Sequence, residues 1–186
     1  MPWTKEETKN TDEIIVDLYH CPICNSEDCV PPNYEQSDVL WIGEAPGEDE
    51  IKRGKPFVGP TGRLVQSELR YLGIPMYTFR MCNLWLHPPP KDKKSDQYRE
   101  CFEYSLKIVM NEAKDKKLVV LVGADTVKFF TGLKVSEWNG LLVKSTLLSN
   151  PYILAIVQPA EAFHGSCGEM RFGLKRFAHY MEEINA

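Results

Sequence analysis

The chain carries no excess of positive charge: its 186 residues hold 22 Lys and Arg against 26 Asp and Glu, a net of −4. A global basic field that would draw it to a polyanion is therefore excluded, and any contact with nucleic acid must come from a local patch. No apolar run approaches the ~18–20 residues of a membrane span, and the opening MPWTKEETKN lacks the apolar core of a secretory signal. The expectation is a cytoplasmic protein with no membrane contact. Internal repeats, low-complexity tracts and heptads are also missing, so nothing points to a repeat array or a coiled coil, and a monomer is expected.

What is present is cysteine, six of them. In a chain without a secretion signal they argue for metal or redox chemistry rather than a disulfide frame. Cys21 and Cys24 form a C-x2-C knuckle, a spacing that lets two thiolates reach one metal. From Cys21 to Gln36 the composition is that of a loop that needs something to hold it.

The densest signal lies in Gly43 to Glu50 (GEAPGEDE) and Pro56 to Gly62 (PFVGPTG). Asp38 to Ile42 (DVLWI) has no polar face and reads as a buried parallel strand. Thr61 to Leu72 spaces Leu64, Val65, Leu69 and Leu72 as an amphipathic helix closed by Gly73. The loop between them is long for a strand-to-helix connection, which usually runs about 2–6 residues. It cannot be a P-loop, since it lacks Lys-Ser/Thr and its carboxylates would repel a phosphate. In open α/β sheets such a loop lies beyond the carboxyl ends of the strands, where ligands bind.

Farther on, Met76 to Leu86 is a second strand candidate and Asp96 to Ala113 a second helix. Lys117 to Val122 (KLVVLV) is a third strand, followed by Gly123 and a helix through Phe130. Leu141 to Thr146 reads as a short extra strand, Tyr152 to Val157 as a fourth core strand, and Glu169 to Ile184 as the closing helix, with Met170, Leu174, Phe177, Met181 and Ile184 on one stripe. Residues 13–20 (EIIVDLYH) read as a short helix. This alternation predicts an α/β fold, a three-layer α/β/α sandwich with a central four-stranded, mainly parallel sheet. At this length one domain over residues 1–186 is expected, with 1–36 as an N-terminal segment carrying the Cys-containing metal loop.

GEAPGEDE followed by GKPFVGPTGRLV resembles the first motif region of the family 4 uracil-DNA glycosylases, the iron-sulfur branch of the uracil-DNA glycosylase superfamily. MCNLWLHPPP resembles that family's TNVVKCRPP segment, VVLVGADTVKFFTG its VVLLGATAAKALLG unit, and VQPAEAF its second motif. The resemblance runs in order over roughly residues 21 to 180. It implies a base-excision repair hydrolase, acting on uracil in DNA.

The resemblance also implies a structural [4Fe-4S] cluster on four ligands: Cys21, Cys24, a cysteine after the second strand and another beyond it. Cys101 matches the last, but His87 stands where the family has its third cysteine. Three readings stay open. His87 is itself the ligand, Cys82 or Cys29 replaces it, or the centre is lost; a Cys3His set suits zinc as well as iron and sulfur.

Breaking the bond between base and sugar needs an anion near the sugar, a donor near the base oxygen and an aromatic wall for the flipped base. By resemblance Glu44 is the motif-one acid, flanked by Gly43 and Ala45 in the substrate loop. Phe57 would stack on the base, and Asn83 would read its edge with an amide that both donates and accepts. A surface acid, a core phenylalanine and a capping asparagine are the competing readings. In the second motif Gln158 replaces the family's histidine, so a neutral amide would do a task that elsewhere uses imidazole. Phe163 is the candidate wedge for the gap left by the flipped nucleotide. Basic residues next to the motif loops, among them Arg63, Lys93 and Arg171, are candidates for phosphate contacts. The first expectation is therefore a uracil-DNA glycosylase. The alternatives are a catalytically weak or inactive glycosylase-fold module that binds DNA or a replication or repair partner, and a glycosylase for another modified pyrimidine.

Overall fold

The computed structural model describes residues 18–160, 165 and 167–185. Most of the helix expected over 13–20 and the Phe163 wedge lie outside the described residues.

Four strands, β1 (Val39–Gly43), β2 (Arg80–Asn83), β3 (Leu118–Val122) and β4 (Tyr152–Ile156), form one sheet in the order β2-β1-β3-β4, every neighbouring pair parallel. β1 and β3 are central and buried along their whole length. Strands covered on both faces must read as unbroken apolar runs, as VLWIG and LVVLV do. Right-handed crossovers place the helix after β1 on one face and those after β2 and β3 on the other.

On the first face, α2 (Pro60–Tyr71) packs against α6 (Cys167–Asn185). Trp41 points to this face, opposite to Leu40 and Ile42, with its ring 4.9 Å from Phe177 of α6. On the second face, α3 (Asp96–Ala113) meets α4 (Ala124–Thr131) through Phe102 and Phe129, whose rings are 5.0 Å apart. The helices end where their caps dictate. Pro60 follows the Gly59 N-cap of α2, the Ser95 hydroxyl accepts the N–H of Tyr98 at 3.1 Å to open α3, and Gly132 closes α4 at φ 73°. The stripe on α6 is as the spacing requires, with Met170, Leu174 and Phe177 fully buried.

Four stretches differ from the sequence reading. The second strand is shorter than Met76 to Leu86, because Pro75 starts a 3-10 turn over Met76–Thr78 in which the Thr78 hydroxyl donates to the Pro75 carbonyl at 2.8 Å. Beyond Asn83 the chain still follows β1, with the N–H groups of Leu84 and Trp85 donating to the carbonyls of Gly43 and Glu44 at 2.8 Å each. The stretch from Leu141 to Thr146 forms only an antiparallel bridge between Leu142 and Leu154. Ser145 turns the chain away there, its hydroxyl donating to Phe130 and accepting from Leu147 and Leu148. The short pairing still covers the outer edge of β4, with Val143 N–H on the Ile153 carbonyl at 2.8 Å. Finally, the acidic loop contains a helix, α1 (Glu48–Arg53), and a short α5 (Val135–Trp138) follows α4.

Candidate active site and metal centre

Parallel register sets the ends of the strands side by side: Gly43 pairs with Asn83, and Ile42 with Leu121. The strand order reverses between β1 and β3, so a crevice opens beyond their carboxyl ends. It holds a hollow of about 400 Å³ whose lining includes Gly43, Glu44, Ala45, Phe57, Asn83 and Gln158.

Acidic α1 forms the outer wall of this hollow. Its Glu50 is a staple: the carboxylate accepts the N–H of Gly47 at 3.2 Å and of Gly59 at 2.6 Å, tying the start of α1 to the start of α2. The carboxylates of this loop thus divide between structure and site. Asp49 is also engaged, with Arg63 at 3.2 Å.

Phe57 sits almost buried at φ 57°, a left-handed conformation that is costly for an aromatic residue. Its surroundings hold it there. The amide of Gln66 donates to its carbonyl at 3.1 Å, and its ring lies edge-on to Trp41 at 6.4 Å. Gly62 fits beneath its backbone, where any β-carbon would overlap the Phe57 carbonyl. Gly43 serves the same end, because a β-carbon there would stand 2.5 Å from Asn83 Oδ1 and 3.1 Å from the Phe57 ring. The glycine beside Glu44 is thus what lets ring and amide close on the strand end.

Asn83 is 5% exposed, and its Nδ2 is buried without a partner in the protein. Buried donors are almost always paired, so this amide in the lining of the hollow is a donor left available to whatever enters it. Gln158 stands two residues past β4, packed over Gly123 at φ 95°, where a β-carbon would come within 3.1 Å of its Oε1.

Glu44 is half-buried, and its carboxyl is held above the usual carboxylate range. Burial is the main cause. The charge of Asp125 and a hydrogen bond to it add to the rise, and Lys93 opposes it. Asp125 stands in the first turn of α4, just past β3. Sequence reasoning missed it, although the adjacency of the ends of β1 and β3 brings an acid at that position next to Glu44. Of the basic residues expected to meet phosphates, Arg63 also donates to the Val58 carbonyl at 2.9 Å, and Arg171 holds Glu68 in a two-pronged pair at 2.8 and 3.0 Å. Lys93 is the one whose charge reaches Glu44.

The cysteine cluster contributes no residue to the lining of the hollow. Cys21, Cys24, His87 and Cys101 bring their ligand atoms within 4.8 Å of one another, a group that could hold a metal ion. Cys21 N–H donates to Ser26 at 3.0 Å and Val30 N–H to Leu86 at 2.7 Å, which folds the knuckle against the segment leaving β2. His87 Nδ1 is 2.8 Å from the Pro88 carbonyl, so it carries the proton and leaves Nε2 as the lone-pair nitrogen, 3.6 Å from Cys24 Sγ. Of the residues weighed above for the fourth position, His87 is the one whose ring nitrogen stands with the three thiols. Cys82 is fully buried in β2 with its thiol pushed up by burial, and Cys29 Sγ donates to the Ser26 carbonyl.

A doubly wound α/β sheet with an acid, an aromatic ring and two amides around a crevice at its switch point, and a Cys3His group beside it, defines the class of protein. Residues 31–183 match the profile of the uracil DNA glycosylase superfamily, and the chain belongs to that superfamily. The relatives are specific. A Type-4 uracil-DNA glycosylase of Archaeoglobus fulgidus is 26% identical over 133 residues, 67% of this chain and 65% of that protein. One of Thermotoga maritima is 34% identical over 101 residues, 53% of this chain and 52% of that protein. One of Sulfurisphaera tokodaii is 30% identical over 102 residues, 52% and 44% of the two chains. The chain spans between about half and two thirds of the length of these curated relatives. Among the described residues no helix is long and apolar enough to cross a membrane.

Proposed function

We propose that this protein removes uracil from DNA by hydrolysing the bond between base and deoxyribose. The observation that carries the reading is the convergence of Glu44, Phe57, Asn83 and Gln158 on one hollow, with the Asn83 amide unpartnered. About 400 Å³ admits a flipped pyrimidine and part of its sugar. The base lies against the Phe57 ring. Asn83 meets its edge, where an amide can donate and accept at once. As the bond lengthens, positive charge grows on the sugar and negative charge on the leaving base. Glu44, ionised, stabilises the first and orients the attacking water. The Gln158 amide donates to the base oxygen as the second builds. The metal group at Cys21, Cys24, His87 and Cys101, a [4Fe-4S] cluster if the resemblance is carried over whole, is structural in this reading. It ties the N-terminal loop to the segment after β2 and to α3, and no step passes through it.

A second reading is favoured by Gln158 itself. A neutral amide shares no proton with the leaving base, and losing one such donor interaction costs on the order of 10²–10³ in rate. A fold that keeps its hollow but not its rate is a DNA-binding module. The test is to incubate the wild type and Gln158→His with single- and double-stranded oligonucleotides containing uracil, and to count abasic sites after alkali. Glycosylase function predicts abasic sites with the wild type and faster release with Gln158→His. Abasic sites from the variant alone would establish the binder; none from either would end the uracil reading.

A further inference from the structure

We infer that Cys21, Cys24, His87 and Cys101 hold a single tetrahedral zinc ion, in place of the four-iron cluster that the family resemblance implies. Size separates the two. Around one zinc ion, with Zn–S about 2.3 Å and Zn–N about 2.0–2.1 Å, tetrahedral angles put two sulfurs about 3.8 Å apart and a sulfur and a nitrogen about 3.6 Å apart. Here Cys21 Sγ and Cys101 Sγ are 3.7 Å apart, and Cys24 Sγ and His87 Nε2 are 3.6 Å apart. No pair of ligand atoms in the group exceeds 4.8 Å. A four-iron cube binds each ligand to a different iron at its corners, which spreads the ligand atoms to on the order of 6 Å. The group is too small for the cube and the right size for the ion.

Burial and donor chemistry agree. Cys21 and Cys101 are fully buried and His87 is 2% exposed, so the walls would have to part to admit four irons and their sulfides. Three thiolates and one imidazole are among the ligand sets of structural zinc sites. The Pro88 carbonyl fixes the His87 tautomer with Nε2 as the metal-facing nitrogen, as outer partners of zinc-bound histidines do. Four protein donors close the coordination shell and leave no open position for a substrate or water. The ion is therefore a staple.

The experiment reads metal and not DNA chemistry, so its outcome is independent of the glycosylase reading. Purify the protein without oxygen from cells supplied with both iron and zinc, then measure both metals, acid-labile sulfide and the visible spectrum. The expectation is about one zinc per chain, negligible sulfide and a colourless protein. Cobalt substitution should give the intense bands of a tetrahedral, thiolate-bound ion. Cys24→Ser should lower zinc content at least severalfold, whereas Cys29→Ser, outside the group, should keep it. About four irons with matching sulfide and absorbance near ~400 nm would overturn the inference, as would a folded wild type carrying neither metal.

Discussion

The hollow and the cysteine group stand side by side in one domain-sized fold and are built on opposite terms. In the cysteine group every donor faces another within 4.8 Å, and three of its four members are buried. The hollow is half open, and it holds a left-handed aromatic residue, an amide with no partner and a carboxyl held above its usual range. The first arrangement is one that a bound metal ion would stabilise and the second is what folding tolerates. Strain and unmet hydrogen bonds persist only where the surrounding structure enforces them, and they gather where a ligand completes the set.

If that contrast is right, removing the metal should cost stability and removing a hollow residue should cost rate. The largest effect expected is from the metal. Stripping it with a strong chelator should cost at least about 3–5 kcal/mol and lower Tm by about 10 °C or more, since metal binding is folding free energy for a loop that cannot pack by itself. Calorimetry of the stripped and reloaded protein measures this. An unchanged Tm would make the group an ornament and remove the contrast.

Next in size is Glu44→Gln. It should lower the rate of uracil release by on the order of 10²–10³ and leave the metal content unchanged. Its effect on stability should have the opposite sign. A carboxyl whose range is raised by folding binds its proton more tightly in the folded chain, so stability is lost as pH rises through the window between the unfolded and folded values. Glutamine does not ionise and avoids that loss above the window. Solvent at the open side of the hollow keeps the gain at pH 7 below about 1 kcal/mol. A variant that is both slower and less stable would mean that Glu44 is a structural acid.

Gly43→Ala should fall between a stability variant and a rate variant. The added methyl must displace Asn83 Oδ1, 2.5 Å from its position, or press on the Phe57 ring. A rate loss of about 10- to 100-fold with a Tm drop of a few degrees is expected, because small misplacements of positioning groups are costly. A wild-type rate would show that ring and amide need not be held so closely.

How much of this could be read from the chain follows the same division. The four strands were legible because a strand buried on both faces has no polar alternation to confuse it, as in LVVLV. The hollow residues were legible at motif positions beyond strand ends: Glu44 after β1, Asn83 at the end of β2, Gln158 after β4. The helix inside GEDEIKRG was not, because Gly47, Gly54 and three consecutive acids read as a loop until Glu50 is seen bonding two distant N–H groups. Spacing named Cys21 and Cys24 and the family resemblance named Cys101 and His87, but neither gave their separation, and separation is what distinguishes one ion from a cube.

Asp125 was the least legible of all, since a single acid in the first turn of a helix is ordinary dipole chemistry. Only the register of β1 against β3 brings it to Glu44, and it supports the smallest effect expected here. In the proposed mechanism Glu44 is ionised when it stabilises the sugar cation, so the rate should fall on the acid side of its raised range. Asp125→Asn removes a like charge and keeps a side chain suited to the first turn of α4, so that acid limb should move to lower pH. Burial, the larger cause, remains in the variant, which keeps the shift small. The pH profile of kcat/KM for wild type and variant measures it. A limb that does not move would show that Asp125 only opens its helix; loss of activity at every pH, with no acid limb left to move, would mean that Asp125, and not Glu44, is the group that must carry the charge.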